Sequence, residues 1–284
     1  MYGTAIHADK LVLPKPKEKI SLFGNIPPAE GKFYRGELIE ELNQTFEMGG
    51  SPLVLILYAP GGIGKTQCAI QFQEKYHNNY ELIVWISAGE NLAFSYREFA
   101  IKLLGEKAEK MTQYKQIEEV NFTLNNNDMY KNNSVLFIFD NVNSRSDIKP
   151  YLEAMPSSYN RKIHVLLTTQ NQEILTLHKK FEVLRFTDND VKNYIEDSLP
   201  GRIIKDTDIK RLIEITDNHP LSLSYLIAYI DANNKSFDEF FEEYREQDIK
   251  LLEEIRSDSE KNESIKPWQV VLSRIKQVRD ENNL

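Results

Sequence analysis

The distribution of apolar and polar positions divides the chain into two textures. Up to residue 186, five short runs are almost wholly apolar and biased toward β-branched residues: 53–58 (LVLILY), 81–87 (ELIVWIS), 135–139 (VLFIF), 161–168 (RKIHVLLT) and a shorter piece at 181–186. Runs without polar alternation predict strands buried on both faces of a sheet. Between them, apolar residues recur at helical spacing. Leu38, Ile39, Leu42 and Phe46 share one face over 36–47, Cys68, Ala69 and Phe72 do so over 67–76, and 94–104 and 113–124 read the same way. Strands and helices in alternation predict an α/β fold, a five-stranded parallel sheet flanked by helices, with ligands outside the carboxyl ends of the strands.

From residue 187 the texture is helical throughout, over 188–199, 206–217, 219–232 and 237–255. Thr187, with Asp190 three residues on, makes an N-cap, and Pro220 falls at the first-turn position where a missing N–H costs nothing. A charged linker at 257–264 precedes a last helix at 267–279. Its stripe of Trp268, Val271, Leu272 and Ile275 must pack back or find a partner. At the other end, Pro14, Pro16, Pro27 and Pro28 interrupt both helix and ladder and predict an extended arm. The Asn-rich piece 125–133 reads as a solvated loop. The chain therefore divides into an arm (1–31), an α/β domain (32–186), a small helical domain (187–256) and a linker with one further helix (257–284).

Composition narrows the chemistry. Of 284 residues, 41% are hydrophobic, enough to build a core, and the net charge of −8 disfavours a nucleic-acid backbone as a general partner. No apolar run approaches the ~20 residues of a membrane span and residues 1–10 lack a signal peptide's apolar centre, so a soluble, cytoplasmic protein is expected. Cys68 is the only cysteine and reads as a small buried helix residue; the five histidines are scattered and read as surface or packing residues.

One stretch carries candidate chemistry. The first strand runs into Ala59-Pro60-Gly61-Gly62-Ile63-Gly64-Lys65-Thr66, then Gln67 opens a helical pattern. Small residues let the backbone N–H groups of Gly61, Gly62, Ile63, Gly64, Lys65, Thr66 and Gln67 close around a phosphate chain, and the helix N-terminus adds partial positive charge. In the pattern G-x-x-x-x-G-K-[ST], Lys65 reaches the β- and γ-phosphates and the Thr66 hydroxyl binds Mg²⁺. Ala59 stands at the first glycine of that pattern, so the loop must hold it in an ordinary conformation.

An Asp closing a strand is common by itself. Downstream of Lys65 and Thr66, Asp140 reads as the carboxylate that holds Mg²⁺ directly or through water. Beside it, the amide of Asn141 can align a water but cannot take its proton, so any catalysis through Lys65, Asp140 and Asn141 should be slow. Thr168, Thr169 and Gln170 end the fourth strand where a γ-phosphate could be sensed, although polar strand ends are also ordinary.

YAPGGIGKT, LFIFDNV, HVLLTTQ and HPLSLSYL, in this order and spacing, resemble the nucleotide-binding module of the signal-transducing (STAND) P-loop ATPases called NB-ARC. FYRGELIEEL at 33–42 resembles that family's opening motif, and KPWQVVLSRIKQ at 266–277 the first helix of its winged-helix domain. The resemblance implies a switch that binds ADP at rest and ATP when active, with Mg²⁺, slow hydrolysis, an ARC1-like helical domain and self-association in the ATP state. It implies that Asp140 is the Walker-B acid, that Pro220 packs on the adenine, and that Tyr34 and Arg35 lie near the base. Three departures stand out. Arg and Gly are exchanged in Tyr34-Arg35-Gly36. Gln170 replaces an Arg at the γ-phosphate sensor and removes a fixed charge. The sequence stops within the winged helix, so a fragment or a minimal form is expected, with effector and sensor domains separate or missing. Two other readings remain. A P-loop phosphotransferase would need an acceptor pocket and more arginines than the lone Arg97 of 89–133; a nucleotide-free scaffold is disfavoured by intact Lys65, Thr66 and Asp140.

Overall fold

The computed structural model describes residues 21–27, 35–89, 91–155, 162–171, 174 and 178–245. The elements are β1 (Leu22–Phe23), α1 (Gly36–Met48), β2 (Leu53–Tyr58), α2 (Lys65–Tyr76), β3 (Leu82–Ser87), α3 (Leu92–Leu104), α4 (Gln113–Asn126) and β4 (Val135–Val142). Then follow α5 (Arg145–Glu153), β5 (Ile163–Thr169), β6 (Lys179–Glu182), α6 (Asp188–Ser198), α7 (Asp206–Thr216) and α8 (Pro220–Ala232); residues 237–245 are also helical. All strands pair in parallel, in the order β1-β3-β4-β5-β2-β6.

The apolar runs are continuous because both faces of the sheet are covered. On one face Val54, Ile56, Phe137, Phe139, Val165 and Leu167 pack with Phe99 of α3, Val120 of α4 and Ile148 of α5. On the other, Leu55, Leu57, Leu136, Ile138 and Leu166 pack with Leu42 and Phe46 of α1 and Phe72 of α2. Each fully buried side chain of this size contributes about 1.5–3 kcal/mol over an exposed one, so these two layers dominate folding. A third cluster gathers Val191 and Ile195 of α6, Leu212 of α7, Leu223, Leu226 and Ile230 of α8, and Phe240 and Phe241. Thr187 and Asp190 form a reciprocal capping box at the start of α6, with Asp190 N–H to Thr187 Oγ1 at 3.1 Å and Thr187 N–H to Asp190 Oδ2 at 2.9 Å.

Among the described residues the sheet has six strands rather than the expected five. The extra one is β1, a proline-free interval of the arm, where Leu22 and Phe23 pair with Ile83 and Val84 at the edge. β6 begins and ends earlier than the expected 181–186: Val183 N–H still reaches Tyr58 O, but β2 ends there and the chain leaves the sheet. β4 runs through Asp140 and Asn141 to Val142, with a register shift between Phe139 and Val142. α5 was not anticipated; Pro150 lies inside it, while Ser144 caps it by accepting the Asp147 N–H at 3.2 Å. The Asn-rich piece is not simply solvated, since Tyr130 is fully buried within it. The expected linker and final helix at 257–279, residues 1–20 of the arm, and Tyr34 lie outside the described residues.

Candidate functional site

At the carboxyl end of β2 the Ala59 N–H donates to Thr169 O at 3.3 Å, and the chain turns through Gly62 (φ 75°) and Gly64 (φ 97°) into α2. Both positions favour glycine through their backbone, and Gly62 is required by its surroundings as well. Their backbone is left-handed, and an added Cβ would stand 2.6 Å from His219 Cε1 at Gly62 and 2.8 Å from Arg35 Nη1 at Gly64. Ala59 keeps an ordinary backbone: the described non-glycine residues with positive φ are Asn141, Asp217, Asn218 and Asn234. Lys65 folds over the loop, its ammonium donating to Ala59 O at 2.9 Å and Pro60 O at 2.8 Å. Burial lowers its pKa below the ordinary lysine value, and the charge of Asp140 opposes that shift.

β5 lies between β4 and β2, so three non-consecutive segments meet at one edge. Thr66 Oγ1 donates to Asp140 Oδ1 at 2.9 Å, and Thr168 Oγ1 donates to the same oxygen at 2.6 Å. Thr168, fully buried, also accepts the Asn141 N–H at 2.7 Å. Asn141, at φ 62°, and Asp140 line both a cavity of about 410 Å³ over the glycine loop and a second of about 710 Å³ beside β1 and α3.

The 410 Å³ cavity is lined by Gly61, Gly62, Gly64, Lys65, Thr66 and Gln67 of the loop, by Asp140, Asn141, Thr168 and Gln170, and by Arg35 and Pro220. The Ile63 side chain is buried in the core instead. Thr169 does not line the cavity: its hydroxyl donates to Val142 O at 2.7 Å and accepts the Asn171 N–H at 3.0 Å, bracing the strand end behind Gln170. The Arg35 guanidinium donates to Leu184 O at 2.7 Å, lies 5.1 Å from the Phe186 ring and stands 3.6 Å from the Cys68 sulfur. Cys68 is buried, as expected, and burial raises its thiol pKa.

Sequence reasoning missed Gln71, Phe186, Tyr194, Leu221 and Ser224, which line the same cavity. Gln71 lies one helical turn beyond Gln67 on α2, a spacing that could have marked it; no spacing marks the others, because α6, α8 and the 183–187 segment reach the loop only in the folded chain. His219 was also missed. It is almost wholly buried and touches the loop, and its place just before Pro220 at a helix start was the one available sign.

Among the described residues no group of three or more His, Cys, Asp or Glu could hold a metal by itself. One carboxylate and one hydroxyl suit Mg²⁺, which keeps waters and takes phosphate oxygens rather than an all-protein cage. Asp140 and Thr66 fit that role. No helix among the described residues is long and apolar enough to cross a membrane.

This geometry has a family. The NB-ARC domain family matches residues 35–190, more than half of the 284 residues. The chain belongs to the NB-ARC family. It therefore carries that family's nucleotide-binding P-loop module. A candidate disease resistance protein of Arabidopsis thaliana is 28% identical over 137 residues, which cover 43% of this chain and 11% of that protein. A solved DNA replication initiation factor superposes with a TM-score of 0.50 at 15% identity, covering 75% of this chain and 65% of that one, a likeness of fold alone. A Signal Transduction ATPase with Numerous Domains from Pyrococcus horikoshii, bearing a tetratricopeptide repeat sensor, gives a TM-score of 0.49 at 16% identity over 75% of this chain and 31% of that one. The NB-ARC chain thus spans only a small part of the curated relative it matches.

Proposed function

We propose that this NB-ARC module is an ADP/ATP-dependent switch that binds nucleotide with Mg²⁺, hydrolyses ATP slowly, and couples exchange to movement of its helical unit and to self-association. The observation that carries this reading is the convergence of Lys65, Thr66 and Asp140 on one cavity that α8 also lines through Pro220 and Leu221. A ligand there would touch both the sheet unit (32–186) and the helical unit (187–256), the division we propose for the chain.

The loop amides and the Lys65 ammonium would bind the phosphate chain, and Thr66 Oγ1 and Asp140 would hold the metal, which would supply charge neutralisation at the phosphates. Thr168 orients the Asp140 carboxylate through its 2.6 Å hydrogen bond. Asn141 can orient a water at the cavity wall but provides no base, and Gln170 offers the terminal phosphate a hydrogen bond without a charge. The first feature slows hydrolysis, and the second weakens the distinction between ATP and ADP. Arg35, held by Leu184 and Phe186, closes the cavity beside Gly64.

Calorimetric titration with ADP and with ATP plus Mg²⁺ should show binding by the unmodified protein and none by Lys65→Ala. Light scattering should show an ATP-dependent increase in mass that the variant lacks. Unchanged binding by Lys65→Ala would remove the cradle assignment.

A further inference from the structure

His219 makes bonds to two different parts of the fold. As the N-cap of α8 it receives the Ser222 N–H on Nδ1 at 3.3 Å, with the Ser222 hydroxyl also 3.2 Å from that nitrogen. A ring nitrogen that accepts an N–H bears no proton, so the neutral imidazole carries its proton on Nε2. Nε2 lies 3.2 Å from the Gly61 carbonyl oxygen and donates to it. Burial lowers the pKa of this ring and favours the neutral form; the Gly61 bond opposes that shift and the charge of Arg185 adds to it.

The adjacent peptide is held in the same way. The Leu221 N–H, one of the donors that the first turn of a helix leaves unused, reaches the Gly62 carbonyl at 3.2 Å. Two successive carbonyls of the phosphate loop are therefore anchored to the start of α8. In a trans peptide C=O and N–H point in opposite directions, so this anchorage turns the N–H groups of Gly62 and Ile63 away from α8. Gly62 makes the close approach possible, since any Cβ there would meet the His219 ring.

We propose that His219 is a positioning residue of the phosphate loop: by holding the Gly61 carbonyl against α8 it presets the loop amides for a nucleoside di- or triphosphate and transmits occupancy to the helical unit. The inference rests on the nucleotide-binding reading above. A peptide whose N–H is drawn to an anion has a more polarised carbonyl, so phosphate binding and the α8 bonds strengthen one another. The coupling is reciprocal: displacing α8 frees both peptides and weakens the cradle.

Two substitutions separate the two bonds. His219→Asn keeps an N-cap acceptor for the Ser222 N–H but is too short to reach Gly61, whereas His219→Gln extends an amide N–H toward that carbonyl. ADP affinity is measured by calorimetry, and hydrogen exchange is followed at residues 61–66 and 221–226 with and without ADP, at a temperature where circular dichroism shows each protein folded. His219→Asn should bind ADP about tenfold more weakly, equivalent to ~1.4 kcal/mol, and should lose the ADP-dependent slowing of exchange over 221–226. His219→Gln should recover part of both. Affinity within twofold of the unmodified protein, with 221–226 still responding in His219→Asn, would overturn the positioning role alone. Absence of ADP binding by the unmodified protein, or full binding by Lys65→Ala, would instead remove the nucleotide reading itself.

Discussion

At the scale of single residues, Asp140 shows how little of a site is its charge alone. One of its oxygens accepts from both Thr66 and Thr168, so the carboxylate is held from the first turn of α2 and from the end of β5 before any ligand arrives. Thr168→Val keeps the volume but removes that second donor, and with it the acceptor of the Asn141 N–H. The expected outcome is a several-fold rise in the Mg²⁺ concentration needed for ATP binding, with metal-free ADP affinity little changed, read from affinity titrations at stepped Mg²⁺. Asn141→Asp tests the chemistry. Asp tolerates the left-handed backbone that Asn141 adopts at φ 62°, so the fold should survive. Supplying a base should raise ATP turnover about tenfold, a ~1.4 kcal/mol lower barrier, measured as phosphate release under single-turnover conditions. An unchanged rate would place the slow step in opening or product release.

At the scale of elements, three helix starts are capped by three different devices. α6 uses the Thr187–Asp190 box, α5 uses Ser144, and α8 uses His219. Thr187→Ala should cost ~1 kcal/mol of stability in the helical unit, visible as a lower denaturant midpoint, because one cap acceptor is lost while Asp190 still serves its own end. The strands show the complementary rule. β5 is buried along its whole length, and its last residues bear hydroxyls whose partners lie on β4. Thr168 faces Asp140 while Thr169 faces Val142, because neighbouring strand residues point to opposite faces. That alternation explains why only one of two adjacent threonines lines the cavity, a distinction invisible in the string TTQ.

At the scale of the whole molecule, His164 links stability to pH. Its ring stacks on Phe46 at 4.4 Å and its Nδ1 is hydrogen-bonded with the Tyr80 hydroxyl at 2.8 Å. Burial, with Lys162 adding and Glu47 opposing, pushes its pKa down to about 4. In the unfolded chain the ring titrates at about 6.5. The unfolded form therefore binds its proton first as pH falls, so this contribution is complete above pH ~6.5 and is lost as pH drops toward 4. The loss should be on the order of 2–3 kcal/mol, seen by comparing urea unfolding at pH 7 and 4.5. The pH slope should shrink in His164→Asn.

The sequence alone determined the layered α/β class, the glycine loop and the acid after VLFIF, because those features are local. Burial on both faces leaves an unbroken apolar run, and a phosphate cradle needs its glycines, lysine and threonine in fixed succession. The tertiary structure decided the rest. Strand order brought β5 between β4 and β2 and so put Thr168 on Asp140; a two-residue edge pairing made β1 a strand; and the return of α8 across the loop gave His219 its second partner. Contacts between segments more than 150 residues apart, such as His219 with Gly61, leave no periodicity for the sequence to display.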